Sequence, residues 1–388
     1  MNITKIQGEP IDATRGKPHE TQVELADMQI TTYISENGTD VRNYGGNDGL
    51  PEMKRMFAQL LDVAPQNIIV GGNSSLNMMF DCVATLVMKG IWKPGQKFLC
   101  PAPGYDRHFA ICEYFDLKML TVPMTPAGPD MDVTEELAKD PDVVGMWNVP
   151  VFSNPQGYVY SDDTIKRLAK MPAANPAFRL LWDNAYPVHQ FNGACPVIAN
   201  ILTECIASGH ADRPIMFTSF SKISIPGAAV VCMAGHESAL AVFRERIAVQ
   251  TIGPDKINQL RHVQFFRDLD GVTAHMEKHA DILRPKFELA YKMLEAAGAN
   301  FTRPNGGYFI SIETPKGCAK KVWQLCKDAG VLLTPAGATF PYGVDPADTN
   351  LRLAPTYLTL DELRRALEVL CAAIVAVSSR NTGLEPES

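Results

Sequence analysis

NIIVGGNSSLNMMFDCVATLVMKGIWKPGQKFLC, residues 67–100, is the stretch whose reading decides the fold. It opens on a short apolar run, NIIV (67–70), and closes on another, KFLC (97–100). Both are near-continuous in hydrophobicity, as strands buried on both faces must be. Between them SLNMMFDCVATLVMKG (75–90) carries apolar residues at Leu76, Met79, Phe80, Val83, Leu86 and Val87. That spacing is the helical period, and Gly90 is placed to end the helix. Strand, helix, strand in this order predicts a mainly parallel α/β sheet.

Outward from this unit the pattern repeats. VVGMWN (143–148), RLLWD (179–183) and IMFTSF (215–220) are further strand candidates, separated by helical patterns. After residue 265 the character changes. HMEKHADILRPKFELAYKMLEAAG (275–298) reads as one long helix stopped by Gly298, followed by GGYFISIE, VWQLCKDAG, VLLTPAG, NLRLA and the helix LDELRRALEVLCAAIVAV. The expected organisation is a large α/β domain over residues 30–265 and a smaller α+β domain from 1–29 and 266–388. The last eight residues, NTGLEPES, read as a frayed tail.

Bulk properties exclude several function classes. The 388 residues are 46% hydrophobic and 20% charged, with a formal net charge of −7. Without a long basic run, nucleic acid is excluded as the main partner, and a mildly acidic surface has little attraction for anionic membranes. The opening MNITKIQGEPIDATRG lacks the apolar core of a signal peptide, and the most apolar stretches are too short to span a bilayer. Nine cysteines without C-x-x-C pairs or zinc spacing predict reduced thiols, a cytoplasmic location and no metal.

In parallel sheets, ligands bind beyond the carboxyl ends of the strands. After NIIV comes GGNSS (71–75), and after KFLC comes PAPGYD (101–106). VVGMWN leads to SNPQG (153–157), RLLWD ends in Asp183 with Tyr186 close behind, and IMFTSF runs into Ser221-Lys222. Each device suits one part of pyridoxal phosphate. Gly71, Gly72, Asn73, Ser74 and Ser75 form a small-residue turn into a helix, where free N–H groups and hydroxyls would cradle a phosphate. Taken alone, the same turn is an ordinary helix cap. Tyr105 is placed to stack on a pyridine ring. Asp183, at a buried strand end, needs a cationic partner, and a protonated pyridine nitrogen supplies one. Asn154 and Tyr186 are candidates to hydrogen-bond the ring's phenolic oxygen. Lys222 decides the reading: an amine against a low-dielectric wall has a lowered pKa and can form an imine and later move protons. Arg352, on an apolar stretch, offers a planar fork for a substrate carboxylate, with an internal salt bridge as the competing reading.

With these residues in order (NYGG, GGNSS, PGY, SNPQG, DNAY, SFSK, GGYF and N-x-R), the chain resembles the class I aminotransferases of fold type I over nearly its whole length. TRGKP (14–18), DVRNYGGNDGLPE (40–52), SFSKISIPGAA (219–229) and GPDKINQLRH (253–262) are similar to the bacterial aspartate aminotransferase type Ic subgroup. The resemblance implies that Lys222 is the Schiff-base lysine and proton shuttle, that Asp183 pairs with the pyridine nitrogen, and that Asn154 and Tyr186 bind its O3′. It further implies that Tyr105 stacks on the ring, and that Gly72, Asn73, Ser74 and Ser219 hold the phosphate. Arg352 would grip the α-carboxylate, with Gly16 lining the pocket. Tyr44 would cross to a partner's phosphate in a homodimer with shared active sites.

One departure stands out. Most class I relatives carry a phosphate-clamping arginine shortly after the lysine; here KISIPGAAVV puts apolar residues there, and the type Ic subgroup looks similar at this point. Lys256 and Arg261 are candidates for that task or for a dicarboxylic substrate's second carboxylate. The leading expectation is L-aspartate:2-oxoglutarate transamination by a ping-pong mechanism. The alternatives are an alanine, aromatic or 2-aminoadipate donor, or a ligand-sensing domain of a regulator. A regulator would carry a helix-turn-helix module ahead of TRGKP, and no basic recognition helix is present.

Overall fold

The computed structural model of the chain describes residues 3–381. The strands in chain order are β1 (Ile11–Asp12), β2 (Ile68–Val70), β3 (Lys97–Ala102), β4 (Lys118–Thr125), β5 (Gly128–Pro129), β6 (Val143–Asn148) and β7 (Arg179–Asp183). They continue as β8 (Pro214–Ser219), β9 (Val231–Gly235), β10 (Asn300–Phe301), β11 (Ile310–Glu313), β12 (Val331–Leu332) and β13 (Asn350–Leu353).

Eight of them form one sheet in the order β2-β9-β8-β7-β6-β3-β4-β5. β4, β3, β6, β7 and β8 pair in parallel, while β9 lies antiparallel between β8 and β2. Two reversals cancel, so β2 points the same way as β8. All five strands read from the sequence therefore end on one edge. The chain builds outward from β3 to β4 and β5, then returns to the other side of β3 to lay down β6, β7 and β8. The switch point between β3 and β6 is where such a sheet opens a crevice.

The sequence reading missed β4, β5 and β9. KMLTVPMT in β4 alternates exposed and buried positions beside the short edge pairing with β5, so it lacks the continuous apolar signature. β9 is apolar throughout and fully buried. Its reversed sense follows from the connection after β8, which holds only the 3-10 turn Pro226–Ala228 and is too short for a helical crossover.

The helix Ser75–Met88 is capped by Ser74, whose Oγ accepts from the Asn77 N–H, and Gly90 beyond its end has φ +68°. It buries Met79, Val83 and Leu86 as its period requires, and also Met78 and Cys82, because it lies flat on the sheet. Two apolar clusters sandwich the sheet, and a third, separate one holds β11, β13 and the helix Leu360–Asn381. The long helix begins at Leu269, six residues before the expected His275, because Asp268 caps it through Gly271. Its Val272 and Met276 belong to a sheet cluster and its Ala280, Leu283, Phe287 and Leu294 to the third. The N-terminal segment joins that third cluster through Ile11 and Ala13, and β1 pairs in parallel with β12. In the expected C-terminal tail, residues 382–388 lie outside the described residues. Among the described residues, no helix is long and apolar enough to cross a membrane.

Candidate active site

β7 delivers Asp183 to the sheet edge at 3% exposure. A carboxylate can only accept, so His108 Nε2, 3.0 Å from Asp183 Oδ2, carries the proton between them. The His108 ring is held by stacking on Trp147, with centroids 4.2 Å apart and planes 5° from parallel. Asp183 Oδ1 is buried and has no hydrogen-bond partner among the described residues. A buried carboxylate oxygen without a partner is costly, so the site fits a ligand that brings a proton donor to this point. A protonated pyridine nitrogen is such a donor.

Beyond β8 the chain turns through Phe220 and Ser221 to Lys222, whose Nζ lies 4.8 Å from the centroid of the Tyr186 ring. Burial lowers the amine's pKa, and the negative charge of Asp183 acts in the opposite sense. The Lys222 carbonyl accepts from Tyr308 Oη and lies 3.3 Å from His189 Nε2. Burial pushes His189 down to about 3, so its ring is neutral near pH 7. Burial also holds the Tyr186 phenol well above its ordinary range and lifts that of Tyr105 to about 12. Both tyrosines therefore keep their protons and are available as donors.

Arg352 comes from β13, across the interface with the third cluster, and is 7% exposed. Its Nη1 donates to Asp106 Oδ1 at 3.0 Å and to Asn154 Oδ1 at 3.2 Å, and its Nη2 donates to Thr334 Oγ1 at 3.1 Å. The guanidinium rests 4.8 Å over the Phe309 ring. Gly16 is required beneath it: a Cβ at that position would lie 2.4 Å from Phe309 Cζ.

A cavity of about 310 Å³ is lined by Gly16, Tyr105, Asn154, Asp183, Tyr186, Lys222 and Arg352. Seven of the residues singled out in the sequence thus face one space. The remaining ones do not line it. Gly72, Asn73 and Ser74 sit on the neighbouring turn, joined to it by Ser75 of the capped helix, which does line the cavity. Ser219 Oγ donates to Ser221 Oγ at 3.0 Å, placing a pair of hydroxyls next to the lysine. Tyr44 is 82% exposed and forms no part of the cavity's lining.

Lys256 and Arg261 separate in the structure. Lys256 is buried and donates to the Gly45 carbonyl at 2.7 Å, so it anchors the loop that carries Tyr44 and has no access to the cavity. Arg261 lines a different space of about 390 Å³, together with Gly72, Asn73 and Gly227. Neither reaches a second substrate carboxylate in the Lys222 cavity from this chain.

Sequence reasoning also missed residues that the geometry brings in. His108 lies three residues after Tyr105, on the same face of the helix Asp106–Tyr114, and that spacing was the available signal. Thr334 and Asp106 became visible only once β13 had docked.

A family model for aspartate amino-transferase matches residues 2–384. A protein of Mycolicibacterium smegmatis named only as an aminotransferase is 43% identical, over 97% of this chain and 94% of its own length. An aspartate aminotransferase of Corynebacterium glutamicum is 40% identical, over 96% of this chain and 90% of its own. The crystal structure of an aspartate transaminase from the same organism superposes with a TM-score of 0.92, covering 96% of this chain and 92% of that one at 40% identity.

Proposed function

The chain belongs to the aspartate amino-transferase family, and from that premise we propose that it transfers the amino group of L-aspartate to 2-oxoglutarate with pyridoxal phosphate as cofactor. The observation that carries the reading is the cavity that holds Lys222 Nζ, the unpartnered Oδ1 of Asp183 and the guanidinium of Arg352 together. The cofactor, when bound, supplies an electron sink for the substrate α-carbon.

The chain's own groups divide the remaining work. Asp183 would hold the protonated ring nitrogen, and His108 keeps the carboxylate oriented through Oδ2. Tyr186, beside Asn154, would donate a hydrogen bond to the ring's O3′. Tyr105 covers the ring face. The hydroxyls of Ser219 and Ser74 and the N–H groups of Gly72 and Asn73 receive the phosphate at the helix's positive end. Lys222 would carry the cofactor, and burial lowers the pKa of its amine, which suits a proton acceptor. From its place in the cavity its amine would accept and return the substrate's α-proton over a short distance. Arg352 grips the α-carboxylate with charge-assisted bonds, and Phe309 and Gly16 set its height.

The same reading makes the protein a homodimer with shared sites, in the cytoplasm. Tyr44 stands out at 82% exposure, on the loop docked beside Ile252, itself 64% exposed. Its loop is docked by the bond from Gly45 N–H to the Ile252 carbonyl at 2.9 Å and by Lys256. Such a rigid, apolar-rimmed projection suits insertion into a second copy. All nine cysteines are free, in keeping with a reducing compartment.

The test is the visible absorption spectrum of the purified protein. The cofactor's resting band should convert on adding L-aspartate and return on adding 2-oxoglutarate. Conversion by alanine, an aromatic amino acid or 2-aminoadipate, but not by aspartate, would keep the aminotransferase and replace the donor. A protein that takes up no pyridoxal phosphate overturns the reading.

A further inference from the structure

We propose that His189 and Tyr308 are positioning residues that clamp the peptide after Lys222, and that a buried chain through Gln22, His279 and His275 ties this clamp to the segment seating the substrate carboxylate. The inference rests on the aminotransferase reading above and names what holds its reacting amine in place.

Beyond β8 the chain reverses within residues 220–224, where the Ile223 and Ser224 N–H groups both bond the Phe220 carbonyl. The Lys222 and Ile223 carbonyls are taken up by side chains instead. Tyr308 Oη donates to the Lys222 carbonyl at 3.3 Å, and His189 Nε2 lies at the same distance from it. A carbonyl only accepts, and His189 Nδ1 is buried with no partner among the described residues, so the imidazole proton sits on Nε2. The Ile223 carbonyl accepts from His275 Nε2 at 2.8 Å. That nitrogen lies 3.1 Å from His279 Nε2, and His279 Nδ1 lies 2.9 Å from Gln22 Nε2. Gln22 Nε2 also donates to Tyr308 Oη at 3.4 Å, which closes the circuit. All five side chains are at most 4% exposed. Burial pushes His189 and His279 down to about 3 and lowers His275 as well. The circuit is therefore neutral near pH 7 and sets no cation beside the lysine amine.

His189 and Tyr308 are locked to each other through their backbones. The His189 carbonyl accepts from the Gly307 N–H at 2.9 Å, and Gln190 bridges Gly306. Both glycines are needed there: a Cβ on Gly306 would lie 2.6 Å from the His189 carbonyl oxygen, and Gly307 has φ +81°. The next residue along carries the link to the substrate. Tyr308 holds the Lys222 carbonyl, while Phe309 lies under the Arg352 guanidinium. Gln22, in the helix Glu20–Glu24, makes the same connection from the N-terminal segment. Its Oε1 accepts from the His19 N–H at 3.0 Å, three residues beyond Gly16, which lies against Phe309. Fixing the Lys222 carbonyl fixes the origin of a flexible four-carbon side chain. Reaction geometry is sensitive to displacements of about 1 Å, so a slack turn would be felt in turnover before it was felt in binding.

The experiment compares the native protein with Tyr308→Phe, His189→Leu, His189→Gln and Gln22→Leu. In the holoenzyme it measures kcat and KM for L-aspartate with 2-oxoglutarate. In the apoprotein it measures the pH dependence of Lys222 acetylation by acetic anhydride, read from the mass of the lysine's peptide. Tyr308→Phe and His189→Leu should lower kcat roughly 10- to 100-fold with KM nearly unchanged. The Lys222 titration should move up toward the ordinary lysine value as the amine escapes its burial. His189→Gln keeps an N–H near the Nε2 position and should recover most of both. Gln22→Leu leaves the Lys222 carbonyl its two donors but cuts the link to the N-terminal segment, so KM should rise as kcat falls; a native KM there overturns the coupling. A Lys222 titration that stays native in Tyr308→Phe and His189→Leu overturns the clamp, whatever happens to the melting temperature. Equal losses in the glutamine and leucine variants of His189 overturn it too. The titration needs no substrate, so it decides the clamp even for a protein that turns over no amino acid, an outcome that fails the broader reading instead.

Discussion

Replacing Asp183 with asparagine separates a structural role from a cofactor-binding one, because the two oxygens of this side chain have different tasks. Oδ2 is bonded to His108, and an asparagine oxygen preserves that bond. Oδ1 is buried with no partner among the described residues, so without cofactor that oxygen is left uncompensated. The Asp183→Asn change would therefore leave the apoprotein as stable as native or somewhat more so. With cofactor the sign reverses, since breaking one side of a buried ion pair costs about 3 kcal/mol or more. That corresponds to roughly 150-fold weaker binding. At a pyridoxal phosphate concentration about 1,000 times the native Kd, the ligand adds about 4 kcal/mol to native stability. The same concentration would add only about 1 kcal/mol to the variant. Thermal melts with and without cofactor read this directly: the native pair should be widely spaced and the Asp183→Asn pair nearly superposed. If the cofactor stabilises the variant as much as the native protein, Asp183 does not pair with the ring nitrogen, and the argument from its orphaned oxygen fails.

Lys222→Ala should reduce turnover by about 10³-fold or more, through loss of the proton-transferring amine, while far-UV circular dichroism stays native. His108→Phe retains a ring to stack on Trp147 but removes the donor to Asp183; cofactor retention and kcat should both drop about tenfold, and full activity in stopped-flow assays would count against its positioning role. Gly16→Ala forces Phe309 to move, because the new methyl meets Cζ at 2.4 Å, so KM for every carboxylate substrate should rise, by an amount consistent with about 1–3 kcal/mol of overpacking. Lys286 is buried, donates to the Thr356 carbonyl, and has its pKa lowered to about 8 chiefly by burial. The unfolded chain thus binds more protons than the native one between about pH 8 and 10.5, and stability rises with pH across that window. Urea titrations at several pH values should show the native protein gaining on Lys286→Met by up to about 1.4 kcal/mol per pH unit, and parallel curves would refute the assignment.

Much of this site was legible in the sequence. The devices after β2, β3, β6, β7 and β8 follow strands whose apolar runs announce themselves, and the parallel sheet sends them all to one edge. Tyr105, Asn154, Asp183, Tyr186 and Lys222, read from strand ends and turn residues, line one cavity, because such signals are local. β4 was not found, because a strand exposed on alternate positions and interrupted by Pro123 carries little of that signal. The early start of the long helix was missed because Asp268 caps it ahead of a glycine that reads as a turn.

What the sequence by itself determined, then, was the alternation of elements, the edge of the sheet to which the five devices go, and the presence of a lysine just after β8. Those follow from periodicity and from chemistry within a few residues along the chain. Only the tertiary structure decided that His108 serves Asp183, 75 positions away, and that Arg352 shares Asp106 across 246. It also placed Lys256 on the Gly45 carbonyl, outside the lining of the Lys222 cavity. A side chain's partners depend on how separate elements pack. Packing is set by burial summed over a whole core, which no window of sequence contains.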